Sequence, residues 1–96
     1  MTHYIAFIET GPRNYSAYFP DLPGCASAGG TLDETVANAG EALAAHIGLM
    51  IEDGDQVPPP RSIEEIRADP EHTRDMHEVV VAAIPLARLT HSAAAE

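Results

Sequence analysis

The chain contains no tryptophan and no lysine, one cysteine (Cys25), and no aromatic residue beyond Phe19. Each scarcity narrows the protein. With Cys25 alone, an intrachain disulfide is impossible, and a reducing compartment fits. With the five aromatics Tyr4, Phe7, Tyr15, Tyr18 and Phe19 confined to the start, the rest of the core must be aliphatic and alanine-rich. No apolar stretch approaches the ~20 residues that span a bilayer. The first ten residues, "MTHYIAFIET", lack the basic start and long apolar run of a signal peptide. A cytoplasmic location is therefore expected.

The missing lysines leave five arginines against fifteen carboxylates, a net charge of −10 over 96 residues. Nucleic-acid binding draws affinity from cations that neutralise phosphates, so this surface should repel nucleic acid and attract basic partners. Ninety-six residues suit one domain with one modest core.

What is present reads as short strands followed by a long helix. "HYIAFIE" (3–9) is β-branched and aromatic, and Gly11-Pro12 ends it. Tyr15, Ala17 and Phe19 alternate with Ser16 and Tyr18 in a second strand, predicting a hairpin. After the "PDLPG" turn, 25–28 can form a short third strand. Thr31-Leu32-Asp33-Glu34 matches a capping box, and Leu32, Val36, Ala39, Leu43, Ile47 and Met50 recur at helical spacing until Gly54. "VPPP" (57–60) is a stiff connector. Ser62-Ile63-Glu64-Glu65 opens a short helix closed by Asp69-Pro70, and "EVVVAAI" (78–84) is a final strand stopped by Pro85.

The order β-β-β-α-(short α)-β defines an α+β protein. A helical crossover favours a parallel return, which would set the last strand beside the first and make strand 1 central. Strand 1 is apolar on both faces, as a central strand should be. One long helix covers one sheet face, so the remaining sheet surface is expected to dimerise or meet another protein. Residues 1–85 form the domain in this reading. Residues 86–96 form a flexible tail, too short for a DNA-binding module.

Several sets of residues invite a catalytic reading. His3, His46, His72, His77, His91 and Cys25 include no Cys-x-x-Cys pair and no His-Glu-x-x-His motif, so no metal site or cofactor is expected. Cys25 has no base named beside it and reads as a small strand hydrophobe. Glu9, Asp21, Asp33 and Glu34 could gather as the metal-binding carboxylates of a nuclease. However, Asp33 and Glu34 are accounted for by the cap and Asp21 by the turn. Gly29-Gly30 lacks the spacing of a phosphate-binding loop.

The stretches "YFPDLPGC" (18–25), "GGTLDE" (29–34), "NAGEAL" (38–43), "IEDGDQVPPPRSIEEI" (51–66) and "VVVAAIP" (79–85) together resemble a HicB-like antitoxin of a bacterial or archaeal toxin–antitoxin system. The resemblance runs from Tyr4 to Pro85. It implies a partial ribonuclease-H-like fold, β-β-β-α-β with a short extra helix before the last strand. It also implies binding to a small, basic, mRNA-cleaving toxin of the HicA type, whose active site the antitoxin masks. Many members carry a C-terminal DNA-binding segment, for which the eleven residues after Pro85 are too few. Catalysis is not implied, because Ala6 and Phe7 stand at the middle of strand 1 where a metal-anchoring aspartate would be needed. The expected contact residues are Tyr18, Asp21, Leu22 and, on the acidic helix face, Glu41. A homodimer or higher homo-oligomer is also expected, without direct DNA binding or membrane contact. The competing readings are a metal-dependent nuclease and an adaptor bound to some other protein.

Overall fold

A computed structural model describes residues 2–73 and 79–86. Three strands come first: β1 (His3–Thr10), β2 (Tyr15–Tyr18) and β3 (Ala26–Gly29). Helix α1 (Leu32–Glu52) follows, then α2 (Ile63–Ala68), α3 (Pro70–Thr73) and β4 (Val79–Pro85). The sheet has four strands in the order β3-β2-β1-β4, so β1 lies inside it as its two-sided hydrophobicity requires. Tyr4, Ala6 and Ile8 meet α1 through Ala39, Leu43 and Ile47, with Ala17, Phe19, Leu22, Cys25 and Ile84 completing the cluster.

The direction of β4 departs from expectation. It pairs with β1 antiparallel, Val79 opposite Glu9 and Pro85 opposite His3. The reason lies in the connection. At 1.5 Å per residue, the 21 residues of α1 reach about 31 Å, enough to span the sheet from end to end. The helix starts beside Gly29 and the chain then reaches Pro58, whose carbonyl accepts from the Tyr4 hydroxyl at 2.6 Å. β4 then begins with Val79 opposite Glu9, back at the end of the sheet from which α1 started. A single helix between strands makes a parallel return; a helix plus a second pass makes an antiparallel one. Pro70 both stops α2 and opens α3, a position where its missing N–H is harmless, so there are two short helices here rather than one.

The ends of α1 follow local chemistry. The Thr31 hydroxyl accepts from the Glu34 amide at 3.0 Å. The Glu34 carboxylate reaches one residue further back than a standard box, accepting from the Gly30 amide at 2.6 Å. The second box is complete, with Ser62 and Glu65 exchanging bonds of 2.8 and 3.1 Å. Gly54, at φ +76°, lies just past the Asp53 cap.

Among the described residues Thr35 is the one fully buried polar residue, and it lies inside the helix–sheet contact. Its hydroxyl is satisfied by donating to the Thr31 carbonyl at 2.8 Å. Hydropathy spacing misses this position because the side chain is polar, yet its neighbour is what makes it necessary. A Cβ on Gly29 would lie 2.7 Å from Thr35 Oγ1 and 2.8 Å from its backbone nitrogen. The helix therefore sits against bare backbone of β3.

The sheet face opposite α1 is partly closed. Phe7 points there by alternation, is fully buried and meets the Tyr18 ring edge-on at 5.6 Å. Of the exposed large aliphatics, Val81 on β4 lies on this face, Val80 on the α1 face, and Leu49 and Ile51 at the end of α1. The tail reading for 87–96 lies outside the described residues; Leu86 itself donates its N–H to the Thr2 carbonyl at 2.8 Å.

Gly29→Ala should destabilise the domain by roughly 1–3 kcal/mol, as overpacked contacts do. Thermal unfolding of the variant checks it, and a melting point equal to that of the parent would show that α1 can move off β3 freely.

Candidate functional site

The fold separates the four side chains expected at the partner contact into two kinds. The "PDLPG" turn is tied by Leu22 N–H to Phe19 O, Cys25 N–H to Leu22 O and Phe19 N–H to Cys25 O. These bonds turn Leu22 inward, where it is 1% exposed. The Asp21 side chain is 3% exposed and receives two hydrogen bonds from Arg61, at 2.6 Å from Nε and 2.7 Å from the backbone N–H. Both side chains are occupied with structure and offer little surface to a partner. Tyr18 is half-buried against Phe7, and Glu41 is exposed on α1.

Arg61 is the signal that sequence reasoning missed. It follows three prolines, and its guanidinium reaches Asp69 at 3.0 Å as well as Asp21. Hydrogen bonds to Asp21 and then Asp69 raise the Arg61 pKa above its ordinary value. Asp69 is held below the usual carboxylate range, first by the Glu71 amide and then by Arg61. The pair joins the β2–β3 turn to the α1–β4 connector across forty positions of sequence. Burial, followed by the nearby Asp21 charge, pushes the Tyr4 hydroxyl pKa up.

The broad free surface is the outer stripe of α1. Asp33, Ala37, Glu41, Ala45 and Leu49 are all exposed at four-residue intervals, opposite the buried stripe Thr35, Ala39, Leu43 and Ile47. Between Leu32 and Glu52 there is no lysine or arginine. The stripe is thus acidic without internal neutralisation, and its alanines allow a partner's backbone to approach closely. Glu52, Asp53 and Asp55 continue the negative charge past the end of the helix.

The nuclease constellation does not assemble. Glu9 and Asp33 belong to the end of the sheet where Thr10, Tyr15 and Gly29 align, whereas Asp21 follows Tyr18 at the opposite end of β2. Among the described residues the only group with metal-ligand proximity is Asp69, Glu71 and His72. There the Asp69 oxygens already serve Arg61 and the Glu71 amide. Cys25 is 3% exposed, and burial raises its thiol pKa, which opposes nucleophilic use. Its thiol lies 3.7 Å from the Ala42 carbonyl.

Arg61→Ala should lower stability by about 2–3 kcal/mol, because it strands a buried carboxylate that had charge-assisted partners. Urea unfolding measures this. The Asp69 contribution has a defined pH sense. Its folded pKa is depressed, so the contribution is complete above the ordinary carboxylate range and is lost as pH falls through the lowered value. The stability gap between parent and Arg61→Ala should therefore narrow in acid.

With this geometry, comparison with known proteins is direct. The solved "HicA3 and HicB3 toxin-antitoxin complex" contains a chain matched at TM-score 0.73 and 28% identity, over 91% of this chain and all of that one. The N-terminal domain of the Burkholderia pseudomallei antitoxin HicB matches at TM-score 0.71 and 27% identity, over 91% of this chain and 100% of that one. A longer B. pseudomallei HicB structure matches at TM-score 0.75 and 28% identity, over 94% of this chain and 66% of that one. A 14.9 kDa protein in the rep-hol intergenic region of Haemophilus phage HP1 (strain HP1c1) is 42% identical over 69 residues. That alignment covers 72% of this chain, which spans about half (52%) of the length of the phage relative. The family model described as "HicB_like antitoxin of bacterial toxin-antitoxin system" matches residues 4–94, and the chain belongs to that family.

Proposed function

We propose that this chain neutralises a small, basic, mRNA-cleaving toxin of the HicA type by covering the toxin's active site, and that it does so without catalysis of its own. The observation that carries the reading is the exposed acidic stripe of α1, free of any internal cation, on a fold shared with a chain of a solved toxin–antitoxin complex. A nuclease that grips RNA needs positive surface along the phosphate path. An acidic protein docked on that surface competes for the same charges and excludes the RNA electrostatically as well as sterically.

Within this reading Glu41, with Asp33 two turns away on the same stripe, forms the steering part of the contact. Tyr18 supplies a half-buried aromatic on the sheet face opposite α1. Asp21 and Leu22 contribute by fixing the turn that follows Tyr18. The same charge that favours a basic toxin disfavours direct DNA binding by this segment. The site of action is the cytoplasm, where the message is cleaved.

Co-expression with the small protein encoded beside its gene tests the reading. Growth should recover and the two proteins should purify together; continued toxicity with soluble chain present would remove the proposal. Reversing Asp33 and Glu41 to arginine should slow association by roughly tenfold at low salt, since unlike charges accelerate encounter. The difference should shrink in high salt, where screening removes the steering. Stopped-flow association rates with the purified toxin give the answer, and unchanged rates at low salt would take the α1 stripe out of the encounter.

A further inference from the structure

The last turn of α1 carries the two most exposed large aliphatic side chains among the described residues, Leu49 at 60% and Ile51 at 59%. Equal exposure hides unequal placement. Ile51 lies four residues past Ile47 and continues the buried stripe to a point where nothing covers it. Leu49 follows Ala37, Glu41 and Ala45 on the outer stripe, about 12 Å along the axis from Glu41. A protein drawn to the acidic stripe meets Leu49 and does not meet Ile51.

The surroundings of Leu49 are fixed and negative. Asp53 N–H bonds to Leu49 O at 2.9 Å, Gly54 N–H to Ile51 O at 3.1 Å and Asp55 N–H to Met50 O at 2.9 Å. The helix end is thus closed by its own backbone, and Leu49 stands out from an ordered turn. Glu52 and Asp53 lie three and four residues beyond it, adjacent on the helix surface, and Asp55 follows. The last turn has no basic residue, and among the described residues none of these three carboxylates is in an ion pair. A carboxylate at a helix C-terminus opposes the dipole, so this end holds unfavourable charge that its own helix leaves uncompensated.

We propose that Leu49 is the apolar anchor of the contact with the basic toxin, entering a toxin pocket whose lysine or arginine rim meets Glu52, Asp53 and Asp55. This rests on the function proposed above and divides the work within it. Asp33 and Glu41 govern how fast the partners meet, and Leu49 governs how long they stay together. Charge selects the occupant. A second copy of this chain would bring −10 against the same carboxylates, and a neutral surface would desolvate them without a partner. A cationic rim satisfies them, offsets the charge at the helix end and leaves the centre of the contact to the one large aliphatic on the stripe. Ala45, one turn before Leu49, leaves room for the pocket wall. Range separates the two roles. Coulombic attraction acts across water and sets encounter, whereas apolar burial requires contact and is felt on dissociation.

Association and dissociation rates of the full chain with the small protein encoded beside its gene test the assignment. Leu49→Ala should fold as the parent does, because the site is exposed and alanine favours helix. Its association rate should match the parent's, while dissociation should be roughly tenfold faster at low and high salt alike. Ile51→Ala, at an equally exposed position, should leave both rates unchanged. Asp53→Asn separates binding from structure. It should raise the melting temperature of the free chain by about 2 °C, through relief of the helix end, and yet speed dissociation from the toxin. Parental dissociation in Leu49→Ala, an equal effect of Ile51→Ala, or unchanged dissociation in Asp53→Asn would overturn the anchor. If Leu49→Ala behaves as the parent while reversal of Asp33 and Glu41 still slows association, the anchor fails and the proposed function stands. A parent chain that does not bind the toxin removes both.

Discussion

The close seat of α1 on β3 is the constraint from which the rest of this structure follows. Gly29 has no side chain, so Thr35 can lie against strand backbone. Asn38 and Ser27 then tie the helix to the outermost strand. Because the helix is drawn to that side, it covers the β3 edge and lies less fully over β4. Ile8 is completely buried, yet Val80, its neighbour on the same face, is open. One helix cannot shield both edges of a four-stranded sheet, and here its polar contacts decide which edge is shielded.

The second organising contact is polar and distant in sequence. Asp21 is a nearly buried carboxylate, which would be costly without partners. Arg61 supplies both a guanidinium and a backbone N–H, and Asp69 balances the remaining guanidinium charge. The turn after β2 is thereby clamped to the connector that leads towards β4. The Tyr4–Pro58 bond reinforces the same junction. The turn expected to supply partner contacts at Asp21 and Leu22 is a structural joint, whereas α1 presents exposed acidic residues on its outer stripe.

Two surfaces with different physics result. The α1 stripe is acidic, with small residues and no cations, and suits a basic protein through long-range attraction. The β4 edge is neutral and aliphatic and suits short-range strand pairing.

The sequence alone determined the elements other than α3, because their signals are local. Both capping motifs, the four-residue spacing of α1, the glycine and proline stops and the alternation in β2 need no knowledge of distant residues. The two-sided hydrophobicity of β1 likewise placed it inside the sheet. Tertiary structure decided what depends on where the chain travels. The antiparallel entry of β4 was invisible because a helix and a second pass through the connector reverse the rule for a simple crossover. Asp21 looked like an exposed turn residue because its partner, Arg61, lies forty positions away. Thr35 was overlooked because its burial depends on a glycine in another element. In each case the deciding interaction joins residues that sequence periodicity cannot connect.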